Sequence, residues 1–205
     1  DSTDGTGTAA RFYSPIGITT DGENLYVVDA GNHRIRKIVI DNGTVTTIAG
    51  SSRGSSDNPT GISASFNGPR GITTDGENLY VVDYGNHLIR KIVISTGAVT
   101  TLAGTAGSYG SADNTTGTSA SFKSPWGITT DGTNLYVVDA GNHTIRKIVI
   151  ATGAVTTLAG TPGSIGNADN ATGTSASFRG PRAITTDGNN LYVADGTNHR
   201  IRKIE

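Results

Sequence analysis

The chain has 205 residues, 34% of them hydrophobic and 16% charged, with a formal net charge of −1 and neither cysteine nor methionine. That length suffices for one domain with a real core. The charge balance excludes a basic field that would hold a phosphate backbone, and the missing thiols exclude disulfides, a thiol nucleophile and cysteine-based metal sites. No apolar run approaches the roughly 18 residues of a membrane helix. Gly, Ser, Thr, Asn and Ala fill the rest, which suits turns and strands rather than helices.

In chain order, Asp1 to Pro15 (DSTDGTGTAARFYSP) is not a private tail. It matches the later loop Ser111 to Pro125 (SADNTTGTSASFKSP), so the chain starts inside a loop between two units. With no methionine at position 1, it is expected to begin after a cut, such as removal of a leader or an upstream region. Each unit then runs the same course. A first strand reads GITT from Gly17, Gly71 and Gly127, and AITT from Ala183. An Asp-Gly turn follows at Asp21-Gly22, Asp75-Gly76, Asp131-Gly132 and Asp187-Gly188, two residue types that tolerate the positive φ of tight hairpins. The second strand is LYVVD. A Gly-Asn-His turn leads to the third, IRKIVI, and the two β-branched runs read as a hairpin. A short turn leads to a fourth strand, TVTTIAG or AVTTLAG, and a long polar stretch leads to the next unit.

The histidines set the period: His33 to His87 spans 54 residues, and His87 to His143 and His143 to His199 span 56 each. A repeat of that length built of short strands means a propeller or solenoid. Four antiparallel strands per unit predict a β-propeller with a four-stranded sheet per blade. The second and third strands are apolar on both faces, as blades packed on two neighbours require, and no 3.6-residue period appears. The expectation is an all-β, single propeller domain over residues 1–205, with blades at about 16–50, 70–104, 126–160 and 182–205. A segment of a larger, for example six-bladed, propeller is the alternative. The last blade has only AITT, LYVAD and HRIRKI. Either a strand immediately upstream of Asp1 completes it, or the edge Ile201–Ile204 stays open and pairs with another chain. The chain is therefore expected not to be an isolated, complete monomer.

The NLYVVDxGNHxIRKI hairpin, with P-x-G-I before it, resembles the NHL repeat, and Asn86-His87-Leu88 spells the family's triplet. The resemblance spans nearly the whole chain. It implies a β-propeller, usually of six blades, used mostly for binding, with some members acting as lyases or lactonase-like hydrolases that hold a metal in the channel. Four units and long inter-blade loops depart from that pattern.

Repeated residues read first as architecture. Four equivalent histidines, one per blade, lie far apart, whereas zinc needs its ligands around one ion; each is expected to be a hydrogen-bonded turn residue. Asp29, Asp83, Asp139 and Asp195 face Arg36, Arg90, Arg146 and Arg202 across the hairpin and predict buried ion pairs, for which the planar arginine fork can grip a carboxylate with both arms. Asp57, Asp113 and Asp169, with Asp4 matching, lack the regular oxygen spacing of a calcium loop and are expected to bond nearby backbone N–H groups. Asn42, Asn114, Asn142 and Asn170 sit in glycosylation sequons. No catalytic residue, metal ligand or cofactor is expected.

Where the copies differ, architecture did not dictate the residue. After the loop proline stand Ile16, Arg70, Trp126 and Arg182. The hairpin turn carries Ala30, Tyr84, Ala140 and Gly196. Arg34, Leu88, Thr144 and Arg200 follow the histidines, and Arg53, Tyr109 and Ile165 mark the loop tips. All lie in the two connections that emerge on one face of an up-and-down sheet, and Trp, Tyr and Arg dominate binding hot spots. The candidate binding residues are Ile16, Arg53, Arg70, Tyr84, Tyr109, Trp126, Ile165 and Arg182. The expected function is a non-catalytic binding or scaffold module for a protein or glycan partner, secreted or at the cell surface, with no nucleic acid and no membrane span. A propeller enzyme and a structural subunit of a larger assembly are the alternatives.

Overall fold

A computed structural model describes residues 2–205. The architecture is an all-β propeller of four blades, joined by loops that carry only short 3-10 turns. The residues fall into two compact units, one running to Thr101 and one from Leu102 to Glu205.

In the first unit, the first blade runs β1 (Gly5–Thr6), β2 (Pro15–Thr20), β3 (Asn24–Asp29), β4 (Arg34–Val39) and β5 (Thr44–Ala49). Its spatial order is β1-β5-β4-β3-β2, so the loop segment β1 adds a fifth, outermost strand that the sequence pattern did not announce. The second blade is a meander of β6 (Ile72–Thr74), β7 (Asn78–Asp83), β8 (Leu88–Val93) and β9 (Val99–Ala103). In the second unit the third blade is β10 (Ile128–Thr130), β11 (Asn134–Asp139), β12 (Thr144–Val149) and β13 (Val155–Ala159). The fourth is a three-stranded sheet of β14 (Pro181–Thr186), β15 (Leu191–Asp195) and β16 (Arg200–Ile204).

Local chemistry explains these elements. In the β2–β3 turn only Gly22 takes positive φ, at 96°. Asp21 stays in ordinary backbone space and works through its side chain: Oδ1 accepts the N–H groups of Glu23 (2.9 Å) and Asn24 (2.7 Å), and Oδ2 accepts the Tyr26 hydroxyl (2.8 Å). The same arrangement recurs at Asp131 and Tyr136. Slight burial pushes the Asp21 and Asp131 carboxyls up, but these donors outweigh it and hold both down at about 2. Burial and the facing aspartate push the Tyr136 hydroxyl up to about 12. At the other hairpin the chain makes a 3-10 turn, Ala30–Asn32, and His33 closes it in the left-handed region at φ 57°, as His87, His143 and His199 close theirs.

Each unit has its own core between neighbouring blades. Val28, Ile35, Phe66, Leu79, Val81 and Ile92 pack together in the first, and Val138, Ile145, Phe178, Leu191 and Val193 in the second. Val81 and Val82 are both fully buried, so both faces of that strand are covered, which is why it lacks polar alternation. Full burial of each such side chain is worth about 1.5–3 kcal/mol.

Candidate functional site

The repeated charged residues form one clamp per blade. Arg90, fully buried, splits its fork: Nη1 donates to Asp83 Oδ2 (2.9 Å) and Nη2 to Asp57 Oδ1 (2.7 Å). Nη1 also reaches Ser65 O and Nη2 reaches Ser56 O, both at 3.0 Å, and the guanidinium lies 5.0 Å from the Phe66 ring centre. Asp83 in turn accepts Asn67 N–H (2.8 Å) and Asn86 Nδ2 (2.8 Å). Arg36 with Asp29 and Asp4, Arg146 with Asp139 and Asp113, and Arg202 with Asp195 and Asp169 repeat the pattern. The buried hairpin ion pairs are as expected, but the arginine grips two carboxylates with one arm each rather than one with both. Burial pushes the Asp83 and Asp139 carboxyls up, Asp139 to about 6, against the pull of their backbone, asparagine and arginine donors.

The loop aspartates differ from expectation. Asp4, Asp57 and Asp113 each accept a backbone N–H, but from a blade's outer strand far along the chain rather than from their own loop. Asp57 accepts both the N–H (2.9 Å) and the hydroxyl (3.1 Å) of Thr101, and Asp113 and Asp4 hold Thr157 and Thr47 alike. A constant offset carries the signal in the sequence: 33 residues separate Asp57 from Arg90, Asp113 from Arg146 and Asp169 from Arg202. The histidines are structural where their bonds are seen: His33 Nδ1 accepts Gly68 N–H (3.1 Å) and His143 Nδ1 accepts Gly180 N–H (3.2 Å), each joining one blade's turn to the loop entering the next.

The varying residues gather pairwise within each unit. In the first, the Arg70 guanidinium lies 4.2 Å from the Tyr84 ring centre, and Arg53, at its loop tip, donates through Nε to Asn67 Oδ1 (3.0 Å). Ile16, 48% exposed, stands beside Gly17, where an added Cβ would lie 2.2 Å from Arg70 O. The innermost strands thus meet at these residues. In the second unit, the Arg182 guanidinium lies 5.1 Å from the Trp126 ring and Lys123 Nζ 5.9 Å from the Tyr109 ring. Ile165 is an exposed loop tip held by a bridge between its backbone and that of Phe178. Leu88 and Thr144 vary too, yet both are fully buried, so their variation belongs to packing and not to a surface.

The sequence model of the NHL repeat matches residues 12–38, 66–92 and 178–204. The chain carries NHL repeats. Its third unit, Phe122 to Ile148, carries the same residues in the same register. Human NHL repeat-containing protein 2 is 31% identical over 212 residues, a match covering 90% of this chain and 29% of that protein. The NHL chain thus spans under a third of that relative's length. An auxiliary nutrient binding protein from Bacteroides ovatus superposes with a TM-score of 0.74 at 22% identity, covering 96% of this chain and 49% of its own. A chain of a nidogen/laminin complex superposes with a TM-score of 0.66 at 22% identity, covering 95% and 60%. These likenesses carry the propeller fold alone.

Among the described residues, no group of three or more His, Asp or Glu side chains could hold a metal ion, and no helix is long and apolar enough to cross a membrane. In each blade the hairpin aspartate is held by arginine and the turn aspartate by tyrosine. Asn142, one of the four sequon asparagines, is buried and donates to Gly110 O (2.6 Å) and Asp139 Oδ2 (2.8 Å), a position closed to a glycan. The stacked arginines and aromatics stand at the loop ends, Arg70 with Tyr84 in the first unit and Arg182 with Trp126 in the second.

Proposed function

We propose that this NHL-repeat chain is a non-catalytic binding module that recognises a protein or glycan partner, outside the cytoplasm, through its loop-end residues. One observation carries the reading: where otherwise near-identical repeats diverge, they place arginine over an aromatic ring, as Arg70 on Tyr84 and Arg182 on Trp126. A stacked pair presents a rigid, flat surface with a cationic edge, the chemistry of sugar faces, carboxylates and peptide backbones. Relatives of this fold whose names speak of nutrient binding and of a nidogen/laminin complex support a binding role.

The test is a set of four alanine variants at Arg70, Tyr84, Trp126 and Arg182, measured against a ligand found by glycan array and by affinity capture from extracellular material. Stability should change by about 0.5–1 kcal/mol, while affinity should fall by about 1–2 kcal/mol or more at the central residues. Unchanged affinity in all four variants rejects the reading. One zinc, iron or copper per chain after dialysis favours the metal-enzyme alternative instead.

A further inference from the structure

The sequence has two Asn-Gly steps, Asn42-Gly43 and Asn67-Gly68. At such a step the following backbone nitrogen can attack the asparagine carboxamide and close a five-membered imide. Glycine carries no Cβ to hinder the approach, and nucleophile and carbonyl belong to one chain. What the step lacks in an ordinary loop is a base for the amide proton and a donor for the oxyanion.

Asn67-Gly68, in the loop entering the second blade, has both. The Gly68 N–H donates to His33 Nδ1 at 3.1 Å. Arg53, at its loop tip, donates its charged Nε–H to Asn67 Oδ1 at 3.0 Å. The carboxamide is pressed against bare backbone: an added Cβ on Gly85 would fall 2.5 Å from Asn67 Nδ2 and 2.6 Å from its Cγ. The main chain is pinned as well. Asn67 N–H donates to Asp83 Oδ1 (2.8 Å), and Asn67 O accepts the Gly85 N–H (2.8 Å). Elsewhere the parts occur separately. Tyr13-Ser14, Lys123-Ser124 and Arg179-Gly180 fill the same place in the repeat without a carboxamide, although Gly180 N–H still meets His143 Nδ1 (3.2 Å). At Asn42-Gly43 the carboxamide is present without the base: Gly43 N–H donates to Val39 O (2.8 Å), and Asn42 Oδ1 accepts the Thr44 N–H (2.9 Å).

We propose that Asn67 is a self-modification site, converted to aspartate and isoaspartate through an imide with Gly68, with His33 as base and Arg53 as oxyanion donor. As the Gly68 N–H proton passes to His33 Nδ1, Gly68 N bonds to Asn67 Cγ and negative charge gathers on Oδ1 under the Arg53 Nε–H. The oxyanion collapses, the Cγ–Nδ2 bond breaks, and the departing nitrogen takes up that proton and leaves as ammonia, which restores neutral His33. Water then opens the imide at either carbonyl. The product sets a carboxylate beside Arg53 where a neutral amide stood, and isoaspartate lengthens the main chain between its bonds to Asp83 and Gly85. Burial, and then the charge of Arg53, lower the His33 pKa, so the ring is a free base at neutral pH. Of the other charged groups beside it in the chain, Arg34 donates to Ser2 Oγ and Asp29 is held by Arg36 and Asn32.

The test incubates the intact 205-residue chain without any partner and follows each Asn-Gly step by peptide mass mapping and isoaspartyl methyltransferase labelling. Conversion at Asn67 should be faster in the folded chain than in the same chain unfolded in urea, and faster than at Asn42. Its rate should level off above an apparent pKa lower than 6.5, whereas a route without a base follows hydroxide. His33→Asn keeps a residue that tolerates the left-handed turn and should slow conversion about a hundredfold. Arg53→Gln, at an exposed position, should slow it about tenfold or more. Slower conversion folded than unfolded, or a rate that follows hydroxide and ignores Arg53→Gln, overturns the proposal. No loop-end ligand enters these measurements, so they fail or hold independently of the binding reading.

Discussion

Arg90 shows what one side chain contributes here. It spends four hydrogen bonds and an aromatic face on tying a hairpin, two loop carbonyls and a loop carboxylate into one knot. Removing one partner of such a buried pair leaves the other charge without compensation, which costs about 3–5 kcal/mol. Arg90→Met should therefore destabilise the protein by about that amount in denaturant titration. Adding Asp83→Asn should cost less than the sum of the single changes, and strict additivity would contradict the coupling. The turn histidines give a pH-dependent counterpart. Burial lowers the imidazole pKa of His33 and His143 below its ordinary 6.5. Each accepts a glycine N–H through Nδ1, so the neutral ring is the form that folding selects. For a base whose folded pKa is depressed, that stabilisation is present above the unfolded pKa and is lost as pH falls through the folded one. NMR titration should show the Gly68 and Gly180 amide resonances moving together with an apparent pKa below 6.5, and an apparent pKa above it would refute the assignment.

At the scale of strands and turns, close approach decides what is tolerated. An added Cβ on Gly127 would lie 2.5 Å from Arg182 O, a backbone atom that cannot swing aside. Gly127→Ala should cost about 1–3 kcal/mol, the range for overpacking, and should also disturb the Arg182–Trp126 stack beside it. Gly132→Ala, at a position with no neighbour within 4 Å, meets no such clash and bears only its positive φ. A thermal melt in which Gly127→Ala behaves like wild type would disprove the close packing. The hairpins were legible in the sequence because LYVVD and IRKIVI encode their own pairing, with Val81 opposite Arg90 and Asp83 opposite Leu88. The loop aspartates were harder to read. Beside Arg90, Asp57 bonds Thr101, 44 residues away, and only the tertiary path of the loop brings these two together. Variation was also an imperfect guide to the surface: Leu88 and Thr144 are fully buried, whereas Arg70 and Arg182 stack on Tyr84 and Trp126.

Across the whole molecule, four copies of nearly one sequence are held to different degrees. The second and third blades have their third strand covered on its outer side and bury Ile89 and Ile145 completely. The fourth has nothing paired to the outer side of β16 among the described residues, and Ile201 is the most exposed of the large apolar side chains. Propensity and pattern are nearly the same in all four, with Ala194 in the fourth where the others have valine, so tertiary cover is the main source of any difference in local stability. In a repeat architecture stability is approximately a sum of unit and interface contributions, and a unit short of cover opens first. Hydrogen exchange with peptide-level resolution should therefore rank the blades. The segment 191–205 should exchange fastest of the hairpins, and 78–93 and 134–149 slowest. The difference should exceed tenfold, since a gap of 1.4 kcal/mol in opening free energy already gives that ratio. If all four hairpins exchange at one rate, the molecule opens as a single cooperative body, and local cover does not control its stability.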